Sequence, residues 1–428
     1  MKRVEAAAVL VGGLVVTVGV AGWAAVTVLG RVLDFDISLQ SSAAAQTTFG
    51  ATVDGNEQHW STPMRRVATS PPALADGAVF VRDEGGRVGA YDATTGRLRW
   101  RVKVDQGSQS GIDFAPTVAN GTVYVAGWNG WLDALDAATG RQRWTMPLSL
   151  SLGETSPRES SIGGTPSGGF PVTVAGGIVY VDVRGVTAFD AVDGHVRWNT
   201  STGGTQDAGY ASYSPPIVGN GFLYVGGDDG AVRALDATTG VSRWSSAAFA
   251  WSPGSASLPG IGPTSSLTLS GDVVYAVARD ARLHAFDART GAPRWDVAIG
   301  VPNVYGSAPV VVDGTVYAVT DAVHAVDAAT GASRWIAPVG GAPLYAYVPP
   351  NVRAGIVYAP GGDARLHALD AHTGVPRWVE GRVPRGRHSG PFLGPHVAAV
   401  APAVGKDAMY VVSGPRLRAY GLTGAAAA

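Results

Sequence analysis

The sequence predicts an all-β fold: an eight-bladed β-propeller of four-stranded antiparallel blades, with an N-terminal transmembrane helix. Three observations predict it. An eleven-residue phrase occurs seven times, as "ALDAATGRQRW" at 134–144, "ALDATTGVSRW" at 234–244 and "AFDARTGAPRW" at 285–295. Tryptophans fall at 60, 100, 144, 198, 244, 295, 335 and 378, a mean step of about 45 residues, in the range of propeller blades. Helical periodicity is absent after residue 30, and short β-branched and aromatic runs alternate with Asn-Gly, Asp-Gly and Thr-Gly turns.

The chain begins with Lys2, Arg3 and Glu5, then runs uncharged from Ala6 to Gly30. As a helix that stretch is roughly 37 Å long, enough to cross a bilayer. It exceeds the apolar core of a secretory signal, and the positive charge before it favours a cytoplasmic N-terminus. Residues 1–30 therefore read as a cytoplasmic N-terminus and uncleaved signal anchor, placing the rest outside the cytoplasm on the plasma membrane. A signal peptide cut near Ala43–Ala45 and a buried core helix are the alternatives. Residues 31–50 are mainly small and polar and suit a linker; 51–424 hold the repeats; 425–428 are a tail of alanines.

Each repeat reads as four strands. In 115–144, "PTV", "TVYVA", "LDALD" and "RQRW" are separated by "NG", "WNGW" and "AATG". The second strand carries an aromatic residue in every unit: Phe80, Tyr124, Tyr180, Tyr224, Tyr275, Tyr317, Tyr358 and Tyr410. The eighth unit lacks a fourth strand, whereas "GNEQHWSTP" at 55–63 is a strand with no blade. Pairing the two closes the ring and removes open edges.

Each position of the phrase has a physical task. Asp92, Asp136, Asp190, Asp236, Asp287, Asp327 and Asp370 stand where a carboxylate accepts backbone N–H groups in an Asx turn. Gly96, Gly140, Gly194, Gly240, Gly291, Gly331 and Gly374 supply positive φ. Trp100, Trp144, Trp198, Trp244, Trp295, Trp335 and Trp378 bring a large apolar face and an N–H that needs an acceptor, with a glycine of the adjacent blade leaving room. Arg precedes the Trp in all seven copies. It reads either as a basic rim for an anionic polymer or, as expected here, as charge guarding an exposed edge strand.

These residues resemble the tryptophan-docking motif of the PQQ-like β-propeller family, Ala-x-Asp-x-x-Thr-Gly-x-x-x-Trp. The resemblance implies that each Trp wedges between blades. The family includes quinoprotein dehydrogenases and non-catalytic relatives such as the outer-membrane-protein assembly lipoprotein, to which this chain is read as nearer. Its enzymes bind pyrroloquinoline quinone against a vicinal disulfide and use an ion held by Glu, Asn and Asp. This chain has no cysteine and only six Glu, none in a matching motif. Blade three departs at Asp193, where Thr is expected, and blade eight at Gly421.

Composition narrows function further. With 15% charged residues and a net charge of −1, the chain lacks the basic face of a nucleic-acid binder. Without cysteine it can form no structural disulfide and no thiolate metal site. His-Glu-x-x-His, Gly-x-Ser-x-Gly and P-loop motifs are absent. His284, His324 and His367 share one third-strand position in three consecutive units, but that position is expected to pack between blades rather than hold a metal. No cofactor or metal is expected.

Trp128, Trp131 and Trp251 form the candidate interaction surface, the alternative for the first two being that they cover a neighbouring loop. The first two flank the hairpin "GWNGW"; the third lies in a long Ser-, Gly- and Pro-rich connection. The expectation is a membrane-anchored scaffold of the cell envelope that binds a protein partner and performs no chemistry. A carbohydrate- or small-ligand-binding propeller and a quinone-dependent dehydrogenase are the alternatives.

Overall fold

A computed structural model describes residues 8–11, 14–18, 24–28, 58–105, 114–127, 130–148, 170–183, 185–202, 215–227, 231–246, 266–278, 280–300, 308–340, 349–363, 365–380, 402–413 and 415–421. The chain divides into two compact units, Met1–Ala51 and Thr52–Ala428.

In the first unit, strands Ala8–Val11, Leu14–Val18 and Ala24–Val28 form an antiparallel sheet. The sequence predicts a helix there, and no helix among the described residues is long and apolar enough to cross a membrane. The physical reason for strands is composition: seven valines lie within these three segments, and β-branched side chains favour a pleated backbone.

The second unit carries eight four-stranded antiparallel sheets. Blade two shows how the sequence builds each one. Thr117–Ala119 turns through Asn120 and Gly121, both at positive φ (49° and 68°), as a tight hairpin requires. Thr122–Ala126 is buried along its whole length, because neighbouring blades cover both its faces. Trp131–Asp136 and Gln142–Pro147 complete the blade. The other blades span 73–103, 172–200, 217–245, 266–298, 310–338 and 351–380 in the same order.

The first strand of each blade touches the first strand of the next, and the eighth touches the first, so the ring is closed. Blade eight takes Ala403–Val404, Ala408–Ser413 and Arg416–Gly421 from one end of the chain and Gln58–Pro63 from the other. Trp60 pairs with Ala419, as the incomplete eighth repeat predicts.

The core lies in the seams between blades. Phe80, Val88 and Trp100 of blade one meet Val123, Val125 and Leu135 of blade two, and the same packing recurs around the ring. One feature was not legible in the repeat: every blade has a bulge between its third and fourth strands, as at Ala134 and Leu135. A bulge re-aims the strand that carries it, here just before the docking Trp.

Antiparallel order separates two faces. One carries the hairpins between first and second strands and the motif turns between third and fourth. The other carries the hairpins between second and third strands and every connection between blades.

Candidate functional site

The motif turns fill the first face. Asp92 Oδ1 accepts the Thr94 N–H at 3.1 Å, the Thr95 N–H at 2.9 Å and the Thr95 hydroxyl at 2.9 Å. The Asx turn expected from sequence is thus present. The indole of Trp100 lies against Gly140 of the next blade, where a Cβ would sit 2.7 Å from the ring. Its Nε1–H donates to the Ala137 carbonyl at 2.9 Å. Trp60, Trp144, Trp244, Trp295 and Trp335 repeat that bond into the following blade at 3.0–3.2 Å. Trp198 docks on Gly240 in the same way, with its buried N–H unpaired among the described residues.

Arginine before each Trp has a role that the expectation of a guarded edge did not contain. All seven donate to the second oxygen of their own motif Asp, at 2.5–2.8 Å. The bond to Arg, with the Thr donors, holds the carboxyls of Asp136, Asp236, Asp327 and Asp370 down to about 2. The constant spacing of seven residues between Asp and Arg was the signal that could have revealed it. On this face the motif Asp, Arg and Trp side chains are engaged in structural contacts.

The opposite face holds the candidate surface. The long connections around 145–170, 245–263 and 379–400 all leave from it, because each joins a fourth strand to the next first strand. Trp131 opens the third strand of blade two here, opposite Pro147, and is half-buried. Trp128 and Trp251 lie outside the described residues.

Beneath this face the third strands carry polar side chains into the seams. His284 Nε2 lies 2.9 Å from Asp280, His324 Nε2 3.7 Å from Asp321 and His367 Nε2 3.0 Å from Asp363. Each histidine meets a carboxylate of its own blade, so the three do not converge. Burial lowers the His324 pKa and favours the neutral ring. Among the described residues no group of three or more His, Asp or Glu could hold a metal ion.

A charged cluster in the seam of blades one and two was missed by sequence reading. Arg82, 1% exposed, pairs with the buried Asp105 and donates to the Ala126 carbonyl at 3.5 Å. Asp133 of blade two faces the same seam, and its carboxyl is pushed up to about 6, chiefly by burial. A lone Arg in a valine strand was the available signal.

The first strands around the axis are nearly devoid of chemistry. Arg353 is their only ionisable side chain among the described residues. Thr117 and Thr173 donate across to Val172 and Pro216 carbonyls at 2.6 and 2.5 Å, tying neighbouring inner strands together. The arrangement is a closed ring in which every connection from one blade to the next starts from the same face.

A family profile described as outer membrane protein assembly factor BamB matches residues 50–165, 128–321 and 279–426. The chain belongs to this family. Among solved structures, BamB from Moraxella catarrhalis is similar over 86% of this chain and 100% of its own, at 17% identity and a TM-score of 0.62. Quinohemoprotein alcohol dehydrogenase from Comamonas testosteroni is similar over 87% of this chain and 77% of its own, at 16% identity and a TM-score of 0.61. A europium-containing methanol dehydrogenase is similar over 86% and 93%, at 14% identity and a TM-score of 0.62. At these identities the structural likeness shows the PQQ-like propeller fold, shared by BamB and by dehydrogenases alike. No curated protein matches the chain.

Proposed function

We propose that the chain is a non-catalytic protein-interaction scaffold, held at the plasma membrane by residues 6–30 with its propeller outside the cytoplasm. The observation that carries this reading is the BamB family match across the whole propeller, on a ring whose described inner strands hold one ionisable side chain. By likeness to the family, the partner is a protein of envelope assembly. Its docking surface is the connection face that includes Trp131.

The membrane anchor rests on the length and apolarity of 6–30. Inside a bilayer each backbone polar group needs an internal partner, and a single segment meets that need as a helix. In water the same valines favour strands.

A photo-crosslinking residue at position 131 tests the reading in native membranes, with position 95 on the motif-turn face as control. Discrete protein adducts from 131 and none from 95 are expected. Adducts from neither would overturn the scaffold reading. So would robust dye reduction with alcohols after adding pyrroloquinoline quinone and calcium.

Trp131 also favours a second reading, a carbohydrate-binding propeller, since an indole offers a sugar a flat apolar face. Glycan-array binding lost in Trp131→Ala would support that reading over the first.

A further inference from the structure

Seven blades fasten their fourth strand with the same pair, an Asp on the third strand and an Arg on the fourth. Blade eight does not. Trp60 pairs with Ala419 across its bulge, as Trp144 pairs with Ala134 in blade two. That register puts Gly421 where the other blades have Asp and His59 where they have Arg. A Cβ on Gly421 would overlap the His59 ring, so the imidazole occupies the space of the missing carboxylate.

Connectivity weakens the same strand. In the other blades a short turn joins the third strand to the fourth, closed in blade two by the Gly140 N–H on the Asp136 carbonyl at 2.8 Å. In blade eight the two strands come from opposite ends of the propeller sequence, so a departing fourth strand is not held near by a turn. Its backbone ladder to Arg416–Gly421 is as long as the one in blade two, and its side chains also reach blade one: the Trp60 N–H on Ala93 at 3.1 Å and the Thr62 hydroxyl on Gly96 at 2.7 Å. Within its own blade, Arg416 reaches the Ser61 hydroxyl at 3.2 Å.

We infer that strand Gln58–Pro63 is the release point of the ring. It leaves before any other fourth strand, uncovering the edge of Arg416–Gly421 while the remaining seven blades stay shut. The absent Asp–Arg pair sets this order, since local openings follow local contacts.

Hydrogen exchange read by mass spectrometry on the full chain in detergent tests the inference. Amides of 58–63 are expected to exchange about tenfold faster than those of 98–103 and 142–147. The double variant His59→Arg with Gly421→Asp installs the missing pair; Gly421 is not at positive φ, so its backbone accepts Asp. It should slow exchange in 58–63 about threefold or more and leave other blades unchanged. A second variant, Arg243→Gln, removes the pair from blade four and should speed exchange in 242–245. Equal protection of 58–63 and the other fourth strands would overturn the release point. No change in either variant, with circular dichroism intact, would overturn the role of the pair.

Discussion

The indole of Trp144 in blade two rests on Gly194 in blade three, where an added Cβ would lie 2.8 Å from the ring. The glycine serves its own turn through a φ of +81° and serves the neighbouring blade by lacking a side chain. One residue thus couples turn geometry to ring packing.

Gly194→Ala should therefore cost more than backbone strain alone. Gly221 has a similar φ of +79° with nothing within 4 Å of its Cβ position. Gly221→Ala should cost about 1–2 kcal/mol, and Gly194→Ala about 2–4 kcal/mol once overpacking is added. Equal thermal midpoints for the two variants would remove the packing argument.

Acid should loosen the motif turns. The Arg bonds depress the folded pKa of the motif aspartates, to about 2 for Asp136, Asp236, Asp327 and Asp370. A depressed carboxyl stabilises above its unfolded pKa of about 4 and loses that contribution as pH falls through the folded value. Thermal midpoints should hold down to about pH 5 and then fall towards pH 2. Arg243→Gln should lower the neutral midpoint and make that fall shallower.

Asp133 works in the opposite direction. Its folded pKa is raised to about 6 by burial, so the unfolded chain releases that proton first. Stability is lost as pH rises from about 4 to about 6 and stays lower above. Asp133→Asn should raise stability at neutral pH by roughly 1–3 kcal/mol and do little near pH 4. A variant that melts lower at neutral pH would show that the Arg82 cluster needs the carboxylate.

The closing strand separates two truncations. Removing residues 1–51 should leave the propeller's melting unchanged, whereas extending the deletion through residue 63 should expose the Arg416–Gly421 edge and cause aggregation. Trp60→Ala, which removes a half-buried indole and its bond to Ala93, should cost about 3 kcal/mol. Light scattering and thermal melts check each. If the chain cut at 63 melts like full-length protein, the pairing of Trp60 with Ala419 does not hold the ring shut.

Much of the fold was legible because the repeat states each task in residue types. Asp-x-x-Thr-Gly spells the turn, the Trp spells the wedge, and the unpaired Trp60 strand spells the closure. The seam cluster of Arg82, Asp105 and Asp133 was not, because its members sit on different strands and meet only when two blades pack. The Arg–Asp pairs fell between: their spacing was visible, but a bulge must re-aim the fourth strand before the guanidinium reaches the carboxylate. Over 6–30 the pattern pointed to a helix, whereas Ala8–Val11, Leu14–Val18 and Ala24–Val28 are strands, since β-branched valines favour a pleated backbone.

The sequence by itself determined a ring of four-stranded blades, their number and the strand that closes them, because those follow from local turns and a repeated apolar period. The tertiary structure alone decided which face gathers the long connections and which charges meet inside the seams. Both depend on how separate strands align across space, and chain order does not encode that until the blades pack.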